Sequence, residues 1–543
     1  MWQQVYTPLG GSLAFSALAA AMPLFVLLYL LGVKRRAAWI AALAGLATAF
    51  AVAVGVFGMP AGKAASASLM GAAFGLLPIT WIVFWAIFLY RLTLETGRFE
   101  VIKDSIGSLT QDRRLQALLI AFAFGAFIEG AAGFGTPVAV AAAMLTGLGF
   151  SPFYAAGICL LANTAPVAFG SIGIPVITLA GITGLPLDQL SAAVGRICAP
   201  ISFIVPAYLM LVMGGWRGLA GVWPAAFACG ASFAMTQWLV SNHLGPQLVD
   251  ILSSLAAMAA ILLVLRFWRP KDHFELEGEH EASVKPPRHP AREVLLAWAP
   301  FALLVVCVLL WGNASIKTML DSVTRVIEWP GLHNTIQQTP PVTAAETLYA
   351  AVYRLSWLSA SGTACLLACL LSALVLRVPL RTLRSVLTTT AQQLAKPTLT
   401  VCSVLGLAFL MNYSGATGTL GLAFAATGAA FPFFSAILGW LGVFLTGSDT
   451  SANALFGNLQ VVTANRLDLN PVLMAASNSS GGVMGKMISL QSIAVAVAAT
   501  GMATREESRL FRFTLRHSVV LASAIGLVVL FYAYAMPQLA PGS

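Results

Sequence analysis

The stretch LQALLIAFAFGAFIEGAAGFGTPVAVAAAMLT, residues 115–146, indicates the fold of this chain. Glu129 is its only ionisable side chain, and Gly133, Gly135 and Pro137 interrupt it near the middle. An apolar run of this length can cross a membrane. Residues that break a helix are tolerated at mid-membrane depth only where the backbone is buried in protein or lines a cavity. The stretch therefore predicts a broken or re-entrant helix next to a polar centre.

The composition of the whole chain is that of a membrane protein. Of 543 residues, 59% are apolar and 9% are charged, and the mean hydropathy is +0.85. A soluble domain carries about 45–50% apolar and about 25% charged residues. This difference excludes a soluble globule, a disordered chain, a collagen, a disulfide framework and a nucleic-acid reader. We therefore predict an all-α polytopic membrane protein of about 12–14 transmembrane helices, at about 20 residues per span.

The order of apolar runs and basic loops predicts the topology. The apolar runs lie at 12–33, 37–57, 66–90, 115–146, 153–181, 190–213, 218–240, 247–267, 293–311, 347–376, 397–411, 418–446, 471–502 and 517–537. Most Lys and Arg residues lie in the loops 34–36, 91–114, 266–292, 377–396 and 503–516, which the positive-inside rule assigns to the cytoplasm. Positive charge follows the first run instead of preceding it, so this run is predicted to be an uncleaved span with the N-terminus outside.

The chain divides near its middle. We predict a single transporter domain, 1–543, with a first half 1–267, a cytoplasmic linker 268–292 and a second half 293–543; the linker's His273, His280 and His289 are interpreted as solvated. Five apolar runs separate the loops 91–114 and 266–292, yet two cytoplasmic loops need an even number of crossings. One run is therefore predicted to be a re-entrant hairpin or a broken pair. The seven cysteines lie in or beside apolar runs without a CxxC pair, so we expect neither disulfides nor metal ligands.

Three ionisable side chains lie inside apolar runs, where each costs about 2.5–3.5 kcal/mol on insertion scales. They are Glu129, Asp449 and Lys486, and each lies in a segment rich in Gly, Ser, Thr or Asn. Glycine allows a helix to unwind and a ligand to approach the backbone. The positive end of a helix that restarts there suits a small carboxylate.

A fourth segment, ANTAPVAFGSIGIP, is similar to the segment around Lys486. Gly170 follows Asn163 by seven residues, just as Gly485 follows Asn478. Each Asn comes after an intramembrane acid. We interpret this as a weak internal duplication, in which two pseudo-repeated halves each supply an acid and an Asn at the membrane centre. Chance similarity in a sequence rich in Gly and Ala is the alternative.

Four segments resemble the bacterial L-lactate permease family. They are GSLTQDRRLQALLIAFAFGAFIEGAAGFGTPVAVAAAMLTGLGF (107–150), LLANTAPVAFGSIGIPV (160–176), LTGSDTSANALFGNLQ (445–460) and NSSGGVMGKMISLQSIAVA (478–496). The resemblance covers almost the whole chain. It implies a multi-pass protein of the bacterial inner membrane that carries L-lactate, or a related 2-hydroxymonocarboxylate such as D-lactate or glycolate, together with a proton. It implies no enzyme activity, cofactor, metal or nucleic-acid partner, and it leaves the oligomeric state open.

The buried charges suggest how such a carrier works. A carboxyl group in surroundings of low dielectric takes up a proton more readily than in water, and proton and anion then favour each other's binding. We expect Glu129 to carry the proton, with Asp449 as the second candidate. Lys486 would attract the carboxylate, and the remaining candidates for substrate binding are polar or glycine residues of the same segments. These are Asn163, Thr164, Ser448, Asn478, Ser479, Gly133 and Gly135.

Other interpretations stay open at this point. Lys486 could form a purely structural pair with Glu129 or Asp449, since buried charges are usually paired. A membrane-embedded enzyme, a Na⁺-coupled carboxylate carrier and a channel are alternative functions. Uptake with and without Na⁺ at fixed pH tests the second, and flux that does not saturate indicates the third.

Overall fold

The structure is a computed structural model that describes residues 1–133, 135–272, 274, 287, 289–503 and 506–541. Within these residues, eleven helices are long and apolar enough to cross a membrane, or twelve when one bent pair is counted as a span. The polytopic helical fold is thereby confirmed, with a span count at the lower end of the predicted range.

The helices of the first half differ widely in length. They are α1 (Leu13–Val33), α2 (Ala38–Gly55), α3 (Ala61–Glu95), α4 (Arg98–Gly107), α5 (Arg113–Ala131), α6 (Thr136–Gly147), α7 (Pro152–Ala162), α8 (Val167–Thr183), α9 (Leu187–His243) and α10 (Val249–Phe267). Side-chain caps fix several starts: the Ser12 hydroxyl accepts a hydrogen bond from the Phe15 amide, and that of Ser151 from the Tyr154 amide. Helices α7 and α8 form one span that is bent by 64°.

The second half contains helices and most of the strands. Its helices are α11 (Ala291–Gly312), α12 (Ala314–Asp321), α13 (Ser361–Val375), α14 (Leu380–Ser414), α15 (Ala416–Thr446), α16 (Asp449–Arg466), α17 (Pro471–Lys486), α18 (Leu490–Thr500) and α19 (Glu507–Ala535). The strands of the chain are β1 (Trp2–Gln3), β2 (Arg325–Glu328), β3 (Ile336–Gln338), β4 (Thr347–Leu348) and β5 (Val352–Leu355).

The strands correct the start of one predicted span. The run 347–376 was expected to be one span, but it begins with β4 and β5, and its helix starts only at Ser361. Strand β5 pairs antiparallel with β2, with Arg325 opposite Leu355, so the ladder satisfies backbone groups that a helix would otherwise pair internally. Strand β3 pairs parallel with β1 and antiparallel with β4.

The two ends of the helix bundle are chemically different. The strands and the N-terminal residues cover one end, here called the strand end, where Tyr6 and Pro340 line a common pocket. Helix α1 starts there and finishes just before Lys34–Arg36. Arg36 and Arg512 line one cavity at the opposite end, here called the basic end.

Helices α5 and α6 form a hairpin that enters and leaves at the basic end. Arg113 at the start of α5 donates a hydrogen bond to the carbonyl of Leu148, directly after α6. Its guanidinium lies 5.5 Å from the centroid of the Phe150 ring. The tip, at Ala132, Gly133 and Gly135, is therefore inside the bundle. Every residue in the most apolar window of α5 is buried, so protein and not lipid surrounds this hairpin.

Helix α9 folds back on itself. Its backbone is non-helical at Gly214 and Gly215, and the Ser191 hydroxyl donates to the Ser241 carbonyl at 2.9 Å. The two arms therefore cross the bundle in opposite directions. Together with the bent α7–α8 span and α10 they give an even number of crossings between 91–114 and 266–292. The hairpin of α5 and α6 is thus the re-entrant element that the sequence required.

A second hairpin enters from the strand end. Its arms are Phe431–Thr446 and α16, joined through Gly447, whose φ of +72° favours glycine. The Ser435 hydroxyl donates to Gln460 at 2.8 Å between the arms. The open end of this hairpin carries Arg466, which lines the pocket of the strand end. The two hairpins therefore point toward each other from opposite faces of the protein.

The outer helices expose large apolar side chains. Phe15 is 67% exposed, Leu263 60% and Leu374 73%. Soluble monomers rarely expose contiguous apolar surface on this scale, so these faces contact lipid. The linker's His273 and His280 lie outside the described residues. His289 is hydrogen-bonded to Asp104 at 2.9 Å, and this carboxylate raises the pKa of the imidazole.

Candidate functional site

A cavity of about 260 Å³ lies where the tips of the two hairpins meet. A single water needs only about 10–15 Å³ by this measure, so a small hydrated solute fits. The residues of its wall come from both halves of the chain. They include Glu129, Val167, Gly170, Ser171, Ile174, Pro175, Lys396, Thr446, Gly447, Ser448, Asp449, Thr450, Ser451, Lys486 and Gln491. All three intramembrane charges identified in the sequence are therefore in one cavity wall.

Lys486 lies at the C-terminal end of α17, between the two acids. Its ammonium group donates a hydrogen bond to the carbonyl of Gly447 at 2.7 Å and interacts electrostatically with both Glu129 and Asp449. The side chain is only 8% exposed. Because its hydrogen bond goes to a backbone carbonyl and not to either carboxylate, Lys486 keeps donors that a carboxylate ligand in the cavity can use.

Asp449 is the first residue of helix α16, and its carboxylate accepts hydrogen bonds from two side chains. Its Oδ2 accepts hydrogen bonds from the Ser479 hydroxyl at 2.6 Å and from the Asn453 amide at 3.3 Å. Its Oδ1 is buried and has no hydrogen-bond partner among the described residues. A Cβ at Gly482 would lie 2.3 Å from this oxygen, so a side chain there would displace the carboxylate.

Glu129 lies near the tip of the first hairpin and has fewer hydrogen-bond partners than Asp449. It is 4% exposed, and its Oε2 has no hydrogen-bond partner within the described chain. A Cβ at Gly170 would lie 2.5 Å from Oε1, and one at Gly133 would lie 3.4 Å from it. The carboxyl group therefore packs against bare backbone on both sides. The buried Oε2 without a hydrogen bond makes the ionised form of this carboxyl costly.

The break in the α7–α8 span forms the wall next to Glu129. Ser171 and Ile172 have positive φ values of 48° and 61°, which are uncommon for residues other than glycine. The Ser171 hydroxyl donates to the Ala132 carbonyl at 3.0 Å and so ties this break to the hairpin tip. Backbone strain of this kind often marks a functional site.

The structure brings together only some of the predicted substrate-binding residues. Ser448 lines the cavity, and its hydroxyl accepts a hydrogen bond from the Ser451 amide as the cap of α16. Ser479 does not line the cavity, but its hydroxyl donates a hydrogen bond to Asp449, which does. Gly133 and Gly135 form the hairpin tip, with positive φ values of 59° and 82°.

Besides Ser479, Gly133 and Gly135, three more predicted residues do not line the cavity. The Thr164 hydroxyl donates to the Leu161 carbonyl at 2.7 Å. The Asn478 amide donates to Asn453 at 2.9 Å and accepts from Gln460 at 3.1 Å. Asn163 lies beside the Glu129 carboxyl, although neither end of its amide has a hydrogen bond of good geometry within the described residues.

Several wall or support residues were missed. Asn453 is one helical turn after Asp449 and also donates to the Ser479 hydroxyl and to the Pro175 carbonyl, both at 3.1 Å. Its spacing of four residues from Asp449, which puts both on one helix face, could have identified it from the sequence. Lys396 was grouped with a basic loop, but it lies within α14 at the cavity. Gln491 carried no sequence signal, because only the chain break after α17 directs it toward Gly447.

The cavity is on the basic-end side of the hairpin tips. Ala38, Thr446, Gly447 and Gln491 also line a second cavity of about 1520 Å³. The wall of that larger cavity includes the basic residues Arg35, Arg36 and Arg512. A solute can therefore approach the charged centre from the basic end, through a positively charged vestibule.

Two opposed hairpins and a broken span around a polar central cavity define a membrane permease, the class in which discontinuous helices form the substrate site. The profile of the L-lactate permease family matches residues 16–536, and the chain belongs to this family. It is a permease and not an enzyme.

Curated relatives are similar over nearly their full length. An L-lactate permease of Bacillus subtilis (strain 168) is 48% identical, covering 96% of each chain. The glycolate permease GlcA of Escherichia coli (strain K12) is 44% identical over 98% of each chain, and the L-lactate permease of that strain is 43% identical over 100% of each. Among solved structures, the Alcanivorax borkumensis YdaH transporter matches with a TM-score of 0.45 and 14% identity, covering 85% of this chain and 86% of that one.

Proposed function

We propose that this protein transports L-lactate or a related 2-hydroxymonocarboxylate, including D-lactate and glycolate, together with a proton across the bacterial inner membrane. The names of the relatives support a lactate or glycolate substrate. The observation that carries the proposal is the single cavity whose wall contains Glu129, Asp449 and Lys486. Its one buried cation and two buried acids can hold one small anion and one exchangeable proton.

The substrate carboxylate is placed between Lys486 and the start of α16. The Lys486 ammonium provides positive charge, and the first turn of α16 adds unpaired backbone N–H groups and the positive end of the helix dipole. Ser448, Thr450 and Ser451 line the same part of the wall and offer hydroxyl groups to the 2-hydroxyl of the substrate.

Glu129 is the better proton carrier of the two acids. The hydrogen bonds that Asp449 accepts from Ser479 and Asn453 stabilise its ionised form, whereas the buried Oε2 of Glu129 receives none from the described residues. A proton on Glu129 removes a negative charge from the wall and so strengthens anion binding. By linkage, a bound anion strengthens proton binding equally. Movement of one lactate with one proton is electroneutral.

The test is uptake of labelled L-lactate into proteoliposomes, with the pH gradient and the membrane potential varied separately. Uptake driven by the pH gradient and reduced by glycolate as a competitor is the expected result. Uptake that depends on Na⁺ at fixed pH, or that follows the membrane potential alone, contradicts proton symport.

Glu129→Gln isolates the proton step. This change keeps the shape of the side chain but removes the exchangeable proton, so we expect uptake driven by the pH gradient to fall at least tenfold, while counterflow of lactate persists. The control is Glu95→Gln, at the exposed end of α3, which should behave like the parent. If uptake driven by the pH gradient is unchanged in Glu129→Gln, Glu129 is not the carrier.

A further inference from the structure

Asp250 is a third acid inside the bundle, and the proposed mechanism gives it no role. It occupies the second position of α10 and is 1% exposed. Neither of its carboxylate oxygens has a hydrogen-bond partner among the described residues. This burial was hard to predict from the sequence, because Asp250 stands near the start of an apolar run, where an acid usually reaches the membrane surface.

Asp250 lies against the hairpin that carries Glu129. A Cβ at Gly130 would lie 2.7 Å from the Cβ of Asp250, so the two backbones approach as closely as glycine allows. Glu129, the residue before Gly130, interacts electrostatically with Asp250. The two acidic residues are therefore on adjacent, closely packed backbones in buried surroundings. Two neighbouring acids there do not ionise together at low cost, so a proton is shared within the pair.

The helices packed against Asp250 bring few titratable or charged groups near it. Helix α5 contributes Glu129, and α9 contributes Cys198, which also interacts electrostatically with Asp449. On α9, Arg196 is directed away, to the side chain of Asn242. Helix α8 carries no titratable residue. No cation therefore compensates Asp250 within the described residues around it, and the uncompensated acid favours its protonated form.

Asp250 lies level with Gly130, at the end of α10 that faces the strand end. Helix α10 runs from Asp250 to Phe267 and into the linker at the basic end, so its first turn is the part farthest from that end. The loop before it packs against the broken span, where a Cβ at Gly173 would lie 2.7 Å from the Pro246 carbonyl. In the same loop Gln247 is half-buried and Leu244 is exposed, so the protein surface is only a few residues from Asp250.

We propose that Asp250 is a second proton-carrying residue, which exchanges protons between Glu129 and the strand end while Glu129 faces the cavity of the basic end. In this step one O–H bond breaks on one carboxyl group and one forms on the other, and the pair keeps its total charge. The substrate then needs no contact with Asp250. This inference rests on the proposed proton symport.

The test compares Asp250→Asn with the parent in proteoliposomes. We expect uptake driven by the pH gradient to fall at least tenfold, with lactate counterflow at equal pH within about twofold of the parent. Counterflow needs folding, binding and alternating access but no net proton release, so it separates a proton role from a structural one. Asp250→Glu restores an acid and should recover uptake. Asp188→Asn, an exposed acid in the first turn of α9, is the matched control and should leave both activities unchanged.

Each other outcome is decisive. Normal uptake in Asp250→Asn, equal loss of uptake and counterflow, or failure of Asp250→Glu to recover uptake overturns the role of Asp250. If the parent itself shows no proton-coupled uptake, the proposed function fails, and the role of Asp250 fails with it. The parent measurement therefore distinguishes the two failures.

Discussion

At the scale of single residues, substitution of Lys486 tests whether this cation binds substrate or only pairs with a buried acid. We expect Lys486→Ala to raise the apparent KM for lactate at least tenfold, because a hydrogen bond to a charged group is worth about 1.5–3 kcal/mol and each 1.4 kcal/mol is a factor of about ten. Lys396→Ala, which removes the exposed lysine of the same cavity, should change KM less than threefold. The measurement is the concentration dependence of the initial uptake rate. An unaltered KM in Lys486→Ala removes this residue from the binding site.

The space around Glu129 gives a second residue-scale prediction. A methyl group at Gly170 would lie 2.5 Å from Oε1 and 3.1 Å from Cγ of Glu129. The side chain must move, so Gly170→Ala should lower the initial uptake rate at least tenfold at equal protein content. Gly147→Ala, where the added methyl meets nothing within 4 Å, should stay within twofold. Equal rates for the two variants contradict the close packing of Glu129.

The sequence predicted the charged centre of the site better than its surroundings. Glu129, Asp449 and Lys486 could be found because ionisable groups are rare in apolar runs. Asn163 and Asn478 were selected for their chemistry, but the direction of a polar side chain depends on the helix rotation, which sequence spacing alone does not determine. Asp250 was missed for the opposite reason: its position in the sequence was that of a surface residue, and only the inward loop before α10 buries it.

At the scale of elements, the first hairpin is fixed at its base by buried charge. Arg114 is fully buried and donates to Asp112 and to Asp272 of the linker, both at 2.7 Å. Removal of one member of a buried ion pair costs about 3–5 kcal/mol, and the partial exposure of Asp272 lowers that figure.

We therefore expect Arg114→Ala to lower the thermal unfolding temperature of the purified protein by several degrees. Lys103→Ala, which removes an exposed pair with Glu100, should change it little, because surface pairs contribute about 0–1 kcal/mol. Thermal unfolding followed by fluorescence in detergent measures both. A similar small shift in the two variants contradicts an anchoring role for Arg114.

Element boundaries were predictable only where the chain was strongly apolar. The parity of crossings required one re-entrant element in residues 115–267, and the contact of Arg113 with Leu148 identifies it as residues 113–147. The strands β4 and β5 were not predictable, because they are short and come just before the apolar residues of the helix that follows. Their pairing depends on partners far away in the sequence.

At the scale of the whole molecule, we expect the strand end and the basic end to be accessible to reagents from opposite sides of the membrane. We place the basic end in the cytoplasm by the positive-inside rule. A cysteine introduced at Lys271 should react with an impermeant maleimide only in inside-out vesicles, and one at Ala344 only in right-side-out vesicles. Of the seven native cysteines, six are buried and Cys402 is half-buried, so the parent chain gives a low background. Reaction of both sites from the same side contradicts this topology.

The internal duplication stays a prediction at this scale. The structure places one hairpin in each half of the chain and directs them from opposite faces, with an acid near each turn. It does not make the halves equal: Glu129 precedes the break of its hairpin, whereas Asp449 follows its own. The division into 1–267 and 293–543 is therefore our proposal, supported by this arrangement.

The opposed hairpin turns also determine where the membrane voltage acts. The vestibule from the basic end reaches the turns at the centre. The membrane potential therefore drops mainly across the protein between these turns and the strand end. One elementary charge moved through 100 mV changes free energy by about 2.3 kcal/mol. Lactate alone would have to climb this steep field toward a negative interior. In the proposed symport it crosses with a proton as a neutral pair, and the thin barrier then costs no electrical work.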